Sequence, residues 1–309
     1  VSKKNLVNTV NKYKNILLNA IIESKTSINK LTFMDYGGGT GILSMLAKQA
    51  KFKIVIYTDI YEPSCIESAI VAEKLGLKCD YYIHGDIDKV ITFVKENKLN
   101  VDVLGNYDVI EHIYNIRYFL SNLKNLSESQ ISCFLASGAN EANPKIKFQM
   151  TKLHYQIENL GRAYKFGRKP TDATQPLLKI REQIIRKKFP ELDPRTISML
   201  AKGTRGLIQE DIFKATNEFL RLGKIPKPYH LTNTCDPLTG NWYENLHNPF
   251  QLKNYILEQG FTKAKIVPGK YFTKNNLVKK LFNLIMRILP TKMSLIISPF
   301  YGIYAIKKL

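Results

Sequence analysis

Apolar residues along this chain gather into short runs that close on polar or acidic residues, with amphipathic stretches between them. Residues 31–35 form one such run, ending Phe33-Met34-Asp35, and 53–59 a second, Lys53-Ile54-Val55-Ile56-Tyr57-Thr58-Asp59. Shorter runs follow at 79–87, closing on Asp86-Ile87, and at 100–106, and a more apolar one at 130–138. Buried runs alternating with helix-length amphipathic stretches predict parallel strands connected by helices. Ahead of them Leu17, Leu18, Ile21, Ile22 and Ile28 make one helical stripe, expected to pack beside the first strand. After residue 138 the alternation stops. Residues 144 to 228 read as a mainly helical insertion, with helical spacing in 148–160, 177–189 and 208–222 and frequent glycine and proline between. The strand-and-helix pattern then returns, with a helix opened by Asn248-Pro249-Phe250 and closed by Gly260-Phe261, and a last strand at 300–306. The expected organisation is a core of 1–143 and 229–309 interrupted by an inserted subdomain, 144–228.

Composition changes this picture little. A chain of 309 residues is long enough for one large core with an inserted cap. The net charge of +20 suggests nucleic acid or an anionic membrane surface, although abundant Lys, Asn and Ile throughout fit biased codon usage equally well. Cys65, Cys79, Cys133 and Cys235 are widely spaced, which indicates neither a zinc knuckle nor a disulfide framework and fits a reducing, cytoplasmic setting. The N-terminal stretch is polar and then amphipathic, unlike a secretory leader. Val1 fits an alternative start codon or the edge of a longer chain.

The candidate chemistry lies at the ends of the runs. Asp35-Tyr36-Gly37-Gly38-Gly39-Thr40-Gly41 follows the first strand and opens a helix at Ile42, so glycines 37, 39 and 41 let the backbone turn and approach a ligand closely. Position 42 is Ile, so the dinucleotide spacing Gly-x-Gly-x-x-Gly is not met from Gly37. Asp59, roughly 20 residues on, is where a doubly wound fold holds a ribose.

With these signals in order, and Asp108-Val109-Ile110-Glu111-His112 after the fourth strand, the chain resembles the class I S-adenosylmethionine-dependent methyltransferases, in particular the small-molecule group that includes quinone-biosynthesis enzymes. The resemblance covers residues 31–138 and a recognisable tail. It implies a Rossmann-like α/β fold, with a seven-stranded, mainly parallel sheet whose last strand is antiparallel, helices on both faces and an inserted helical lid. It further implies that Asp35 and the backbone of Gly37, Gly38, Gly39 and Gly41 hold the methionine moiety of S-adenosylmethionine. Asp59 would hold the ribose with Ile60 beside it, Asp86 and Ile87 the adenine, and Asn106 and Tyr107 the floor near the sulfonium. Tyr36 or Tyr107 is a candidate to stabilise the cationic sulfur.

The acceptor is expected to be a small molecule or a glycan or lipid precursor, methylated on oxygen, with His112 or His247 as the base. The insertion is expected to recognise it, or alternatively to serve structure or homodimerisation. Tyr164 and Arg168, among Arg162, Lys165, Phe166 and Lys169, and then Arg181, Arg186, Lys187 and Lys188, suit an anionic acceptor. Trp242 and Tyr243, with Glu244, are expected at the acceptor pocket. No His/carboxylate constellation suggests a metal. The cationic, amphipathic stretch 276–290 is expected to be a core helix before the last strand, with peripheral contact to an anionic membrane as its alternative. Two competing functions are an RNA methyltransferase, against which stands Asn106-Tyr107-Asp108-Val109 in place of an amine-methylating motif, and a non-catalytic cofactor-binding partner.

Overall fold

The computed structural model describes residues 3–162, 175–228, 232–273 and 276–308. In chain order it contains α1 (Lys3–Ala20), β1 (Thr32–Tyr36), α2 (Ile42–Gln49), β2 (Ile54–Asp59), α3 (Glu62–Lys74), β3 (Tyr81–His84), α4 (Ile87–Glu96), β4 (Val103–Tyr107), α5 (Ile116–Asn122), β5 (Ile131–Ser137) and α6 (Pro144–Asn159). There follow α7 (Leu177–Lys188), α8 (Pro194–Gly203), α9 (Gln209–Leu222), α10 (Pro249–Glu258), β6 (Lys263–Pro268), α11 (Leu277–Ile288), α12 (Thr291–Ile297) and β7 (Tyr301–Lys307).

The chain divides into two compact units. The first comprises Val1–Ile110, Asn115–Asn143 and His247–Leu309, and the second Glu111–Tyr114 with Pro144–Leu246. The first unit holds a seven-stranded sheet of order β3-β2-β1-β4-β5-β7-β6. β1 to β5 run parallel, and β7 lies antiparallel between β5 and β6. This is the arrangement that the resemblance implied, the class I methyltransferase fold. β1 and β5 are buried along their whole length, because helices cover both faces of the sheet. On one face Phe33, Val55, Tyr57, Val103, Phe134 and Tyr304 pack with Leu43 and Ala47 of α2 and Ile16, Leu17 and Ala20 of α1.

Four details depart from the sequence pattern. α1 packs chiefly against α2, β4 and β5, with Phe33 of β1 in the same cluster, and Ser132 Oγ donates to the Ala20 carbonyl at 2.6 Å. Leu18 and Ile22 of the expected stripe are exposed, and Ile16 replaces them in the core. The third strand is shorter than the apolar run, because Asp86 caps α4 by accepting from Lys89 N at 3.1 Å. α11 occupies the expected crossover between β6 and β7 but buries no residue, so it is not a core helix.

The second unit has its own core, in which Ile185 and Phe189 of α7, Ile197, Leu200 and Ala201 of α8, and Ile212 of α9 pack together. Arg181 of α7 is fully buried in an ion pair with Glu158 of α6 and donates from Nε to the Ala201 carbonyl at 2.8 Å. Thr234 Oγ1 donates to the same carboxylate at 2.8 Å, which ties 232–246 into this unit, beyond the expected end of the insertion at 228.

Candidate functional site

The carboxyl ends of β1 to β4 bring the sequence-predicted cofactor residues to one edge of the first unit. β1 lies between β2 and β4, where the strand order reverses, the place at which open α/β sheets bind ligands. The registers Asp35↔Tyr57, Asp35↔Gly105 and Asp59↔His84 set the four strand ends at similar heights.

Gly37, Gly39 and Gly41 have φ of 69°, 50° and 72°, the left-handed region that side chains resist. Gly38 is held by space instead. A Cβ there would lie 2.4 Å from the Tyr57 ring, and one on Gly41 2.0 Å from Ser68 Oγ. A Cβ on Gly39 would meet nothing within 4 Å, so at that point the loop faces open space.

Two carboxylates and a tyrosine hold the loop. Asp59 Oδ2 accepts from Gly39 N at 2.9 Å and Oδ1 from Tyr61 N at 2.9 Å. Each bond uses one of the lone-pair sites of a carboxylate, which has about four, leaving acceptor capacity for a vicinal diol. Tyr57 Oη donates to the Gly39 carbonyl at 2.7 Å. Asp35 is buried, and its Oδ2 accepts from Ser44 N at 2.9 Å and Ser44 Oγ at 2.5 Å. Gly41 supplies no cap to α2, so the strand-end carboxylate does so from below, where the helix dipole favours negative charge. Burial nevertheless pushes the Asp35 carboxyl up to about 7, against the lowering effect of the Ser44 bonds.

The other predicted positions differ in what they offer. Ile60 is 73 % exposed just past Asp59, an apolar surface at the strand end, whereas the Ile87 side chain is buried. Asp86 is exposed, with Oδ1 used to cap α4. The Tyr36 ring is packed on Phe119 at 4.9 Å between centroids, and burial raises its hydroxyl above the usual phenol range. Asn106 is fully buried; its Oδ1 accepts from Ala136 N at 3.2 Å, and its Nδ2 has no partner among the described residues. The Tyr107 ring already carries a cation, since Lys12 Nζ lies 3.5 Å from its centroid, with Tyr13 and Phe300 edge-on to it. Tyr57, Ser44 and Lys12 were not singled out by sequence. Tyr57 alone left a signal there, lying two residues before Asp59 on the same side of β2.

Within the second unit, five of the residues expected to serve the acceptor meet, Arg162 and Glu244 among them. His112, Trp242 and Tyr243 line a cavity of about 320 Å³ together with Arg162, Gln156 and Glu244. His112 Nδ1 lies 2.8 Å from the Trp242 carbonyl oxygen. A carbonyl can only accept, so Nδ1 carries the proton and Nε2 of the neutral ring keeps its lone pair. Trp242 stacks on Tyr114 and donates from Nε1 to the Tyr114 carbonyl at 3.2 Å. Burial raises the Tyr243 hydroxyl above its ordinary value, with Asp236 adding to the shift and Arg162 opposing it. Glu244 has φ 54°, a left-handed backbone at the cavity wall. His247 belongs to the first unit and does not line this cavity. Tyr164 and Arg168 lie outside the described residues. Arg181, one of the cations expected to meet an anionic acceptor, is instead committed to Glu158, and Arg186, Lys187 and Lys188 are exposed.

No protein-family model and no curated protein sequence matches this chain. Solved structures similar to it include a magnesium protoporphyrin IX methyltransferase from Synechocystis PCC 6803 with bound SAH, at 13 % identity, covering 99 % of this chain and 86 % of that one, with a TM-score of 0.45. A SAM-dependent methyltransferase from Archaeoglobus fulgidus matches at 15 % identity, 99 % and 95 % coverage and a TM-score of 0.40. A plantazolicin methyltransferase in complex with SAH matches at 12 % identity, 99 % and 86 % coverage and a TM-score of 0.43.

Proposed function

We propose that this chain is an S-adenosylmethionine-dependent methyltransferase acting on the oxygen of a small-molecule or glycan or lipid-precursor acceptor. The observation that carries it is the set of groups at the carboxyl ends of β1 to β4: a left-handed glycine loop open at Gly39, a braced Asp59 with lone pairs to spare, exposed Ile60 and Asp86, and buried Asn106. These residues fit the cofactor. Asp59 accepts from the ribose hydroxyls, and Ile60 covers one face of the adenine while Asp86 and the Ile87 main chain meet its edge. The backbone of Gly37 to Gly41 receives the methionine portion, and Asp35 acts as a positioning residue by holding α2 and the loop together. When bound, S-adenosylmethionine supplies a methyl group on a positively charged sulfur, transferred by in-line displacement, so alignment and exclusion of water do most of the work.

The second unit selects the acceptor. Trp242 and Tyr243 supply apolar walls, and Arg162 a cation for an anionic group. His112, with Nδ1–H fixed on the Trp242 carbonyl, takes the proton of an acceptor hydroxyl at Nε2. The test is calorimetric titration with S-adenosylmethionine and S-adenosylhomocysteine, with NAD as the control. Binding of the first two in the micromolar range, and not of NAD, is expected. A folded sample silent to both overturns the proposal.

A further inference from the structure

α11 buries no residue and turns a row of large apolar side chains to solvent. At 100° per residue Leu277, Leu281, Leu284 and Ile288 fall on one stripe, and that stripe faces solvent, with Leu277 79 % and Ile288 81 % exposed. The inward side carries Phe282, Asn283, Ile285 and Met286, each half-buried. Asn283 exchanges two bonds with the Tyr271 backbone, at 2.8 Å each, and Phe282 packs on the Tyr271 ring at 6.1 Å between centroids. These contacts fix the helix's rotation, so the apolar stripe is held outward. Met293 and Ile296 of α12 are exposed as well.

The charges beside this stripe have one sign. Lys280 and Arg287 flank it, Lys292 follows at the start of α12, and every charged residue from 259 to 309 is Lys or Arg. A second copy of the face would bring like charges together, in a chain already at +20, which disfavours self-association. A nucleic acid would meet the cations but leave the leucines in water. A surface that is anionic outside and apolar just beneath satisfies both. The helix has 12 residues, about 18 Å, too short to span a bilayer but of a kind that lies in the headgroup plane. Among the described residues no helix is long and apolar enough to cross a membrane.

We propose that the outer face of α11, continued by Met293 and Ile296, docks on an anionic lipid bilayer, with Leu277, Leu281, Leu284 and Ile288 entering the acyl boundary and Lys280, Arg287 and Lys292 meeting lipid phosphates. The docking is independent of cofactor binding. It is tested by sedimenting the whole chain with vesicles of phosphatidylcholine alone, or of phosphatidylcholine with roughly one third phosphatidylglycerol. Binding at least about tenfold tighter to the anionic vesicles, weakened by raised salt, is expected. Leu281→Gln with Leu284→Gln, two exposed positions, should lower that binding by at least about tenfold, since burial of these side chains is lost. Circular dichroism and S-adenosylmethionine titration should be unchanged in the double variant. Equal binding by wild type and variant, or no preference for anionic vesicles, overturns the proposal. So does a concentration-dependent dimer abolished by the same substitutions in a protein that ignores vesicles, which would give the face to a second copy.

Discussion

Asp59 and Asp35 end neighbouring strands, yet their surroundings give them opposite tasks. Asp59→Ala is expected to weaken S-adenosylmethionine binding by roughly 10- to 150-fold, equivalent to about 1.5–3 kcal/mol for a charge-assisted bond, as read by calorimetry. Unchanged affinity would remove its ribose role. Asp35 bears instead on stability. Its carboxyl titrates at about 7 in the folded protein, so from the ordinary carboxylate range up to 7 the folded state holds a proton that the unfolded chain has released. Its contribution is therefore fully present at low pH and is lost as pH rises through 7. Asp35→Asn abolishes this term, so the variant should gain on wild type by on the order of 2–4 kcal/mol between pH 5 and pH 8 in denaturant melts. A difference independent of pH would contradict the burial effect. Both aspartates were legible as strand-end carboxylates. The division of labour was not, because it turns on Ser44 and Tyr57, which come close only once β1, α2 and β2 are packed.

Among the elements, the β1–α2 loop was the most legible, since glycine at alternate positions reports a backbone constraint directly. What the spacing did not reveal is that its glycines are needed for different reasons. Gly41→Ala forces a left-handed alanine against Ser68 and is expected to cost about 1–3 kcal/mol of stability. Gly39→Ala meets no neighbour, so its stability loss should be nearer 1 kcal/mol, with the larger effect falling on cofactor affinity. Thermal melts and calorimetry on the two variants separate these effects. If Gly39→Ala binds the cofactor as wild type does, the open side of the loop is not the ligand side. α11 was misread for a related reason. Periodicity identifies an apolar stripe but not its direction, which is set by contacts of the folded chain such as those of Tyr271 to Phe282 and Asn283.

At the scale of the whole molecule, six strands were visible as short runs and the seven-stranded sheet was implied by the family resemblance, while the extent of the second unit rested on a buried pair that no local pattern announces. Arg181 reads as one more cation in a basic segment, and Glu158 as a surface residue of an amphipathic helix. Together, with Thr234, they hold α6, α7 and the 232–246 segment in one body. Glu158→Ala strands a buried guanidinium and should destabilise the second unit by about 3–5 kcal/mol, seen as lost hydrogen-exchange protection in 177–222. Retained protection there would mean that the apolar core of α7, α8 and α9 suffices. The sheet has a different dependence, set by where β7 lies. Its residues pair with β5 from Ile131↔Lys307 to Ser137↔Tyr301, and with β6 on the other side. During synthesis β5 therefore waits, one edge unpaired, while the entire second unit emerges. The helical unit can be complete before its host is, and the sheet that surrounds the glycine loop closes only once β7 has followed.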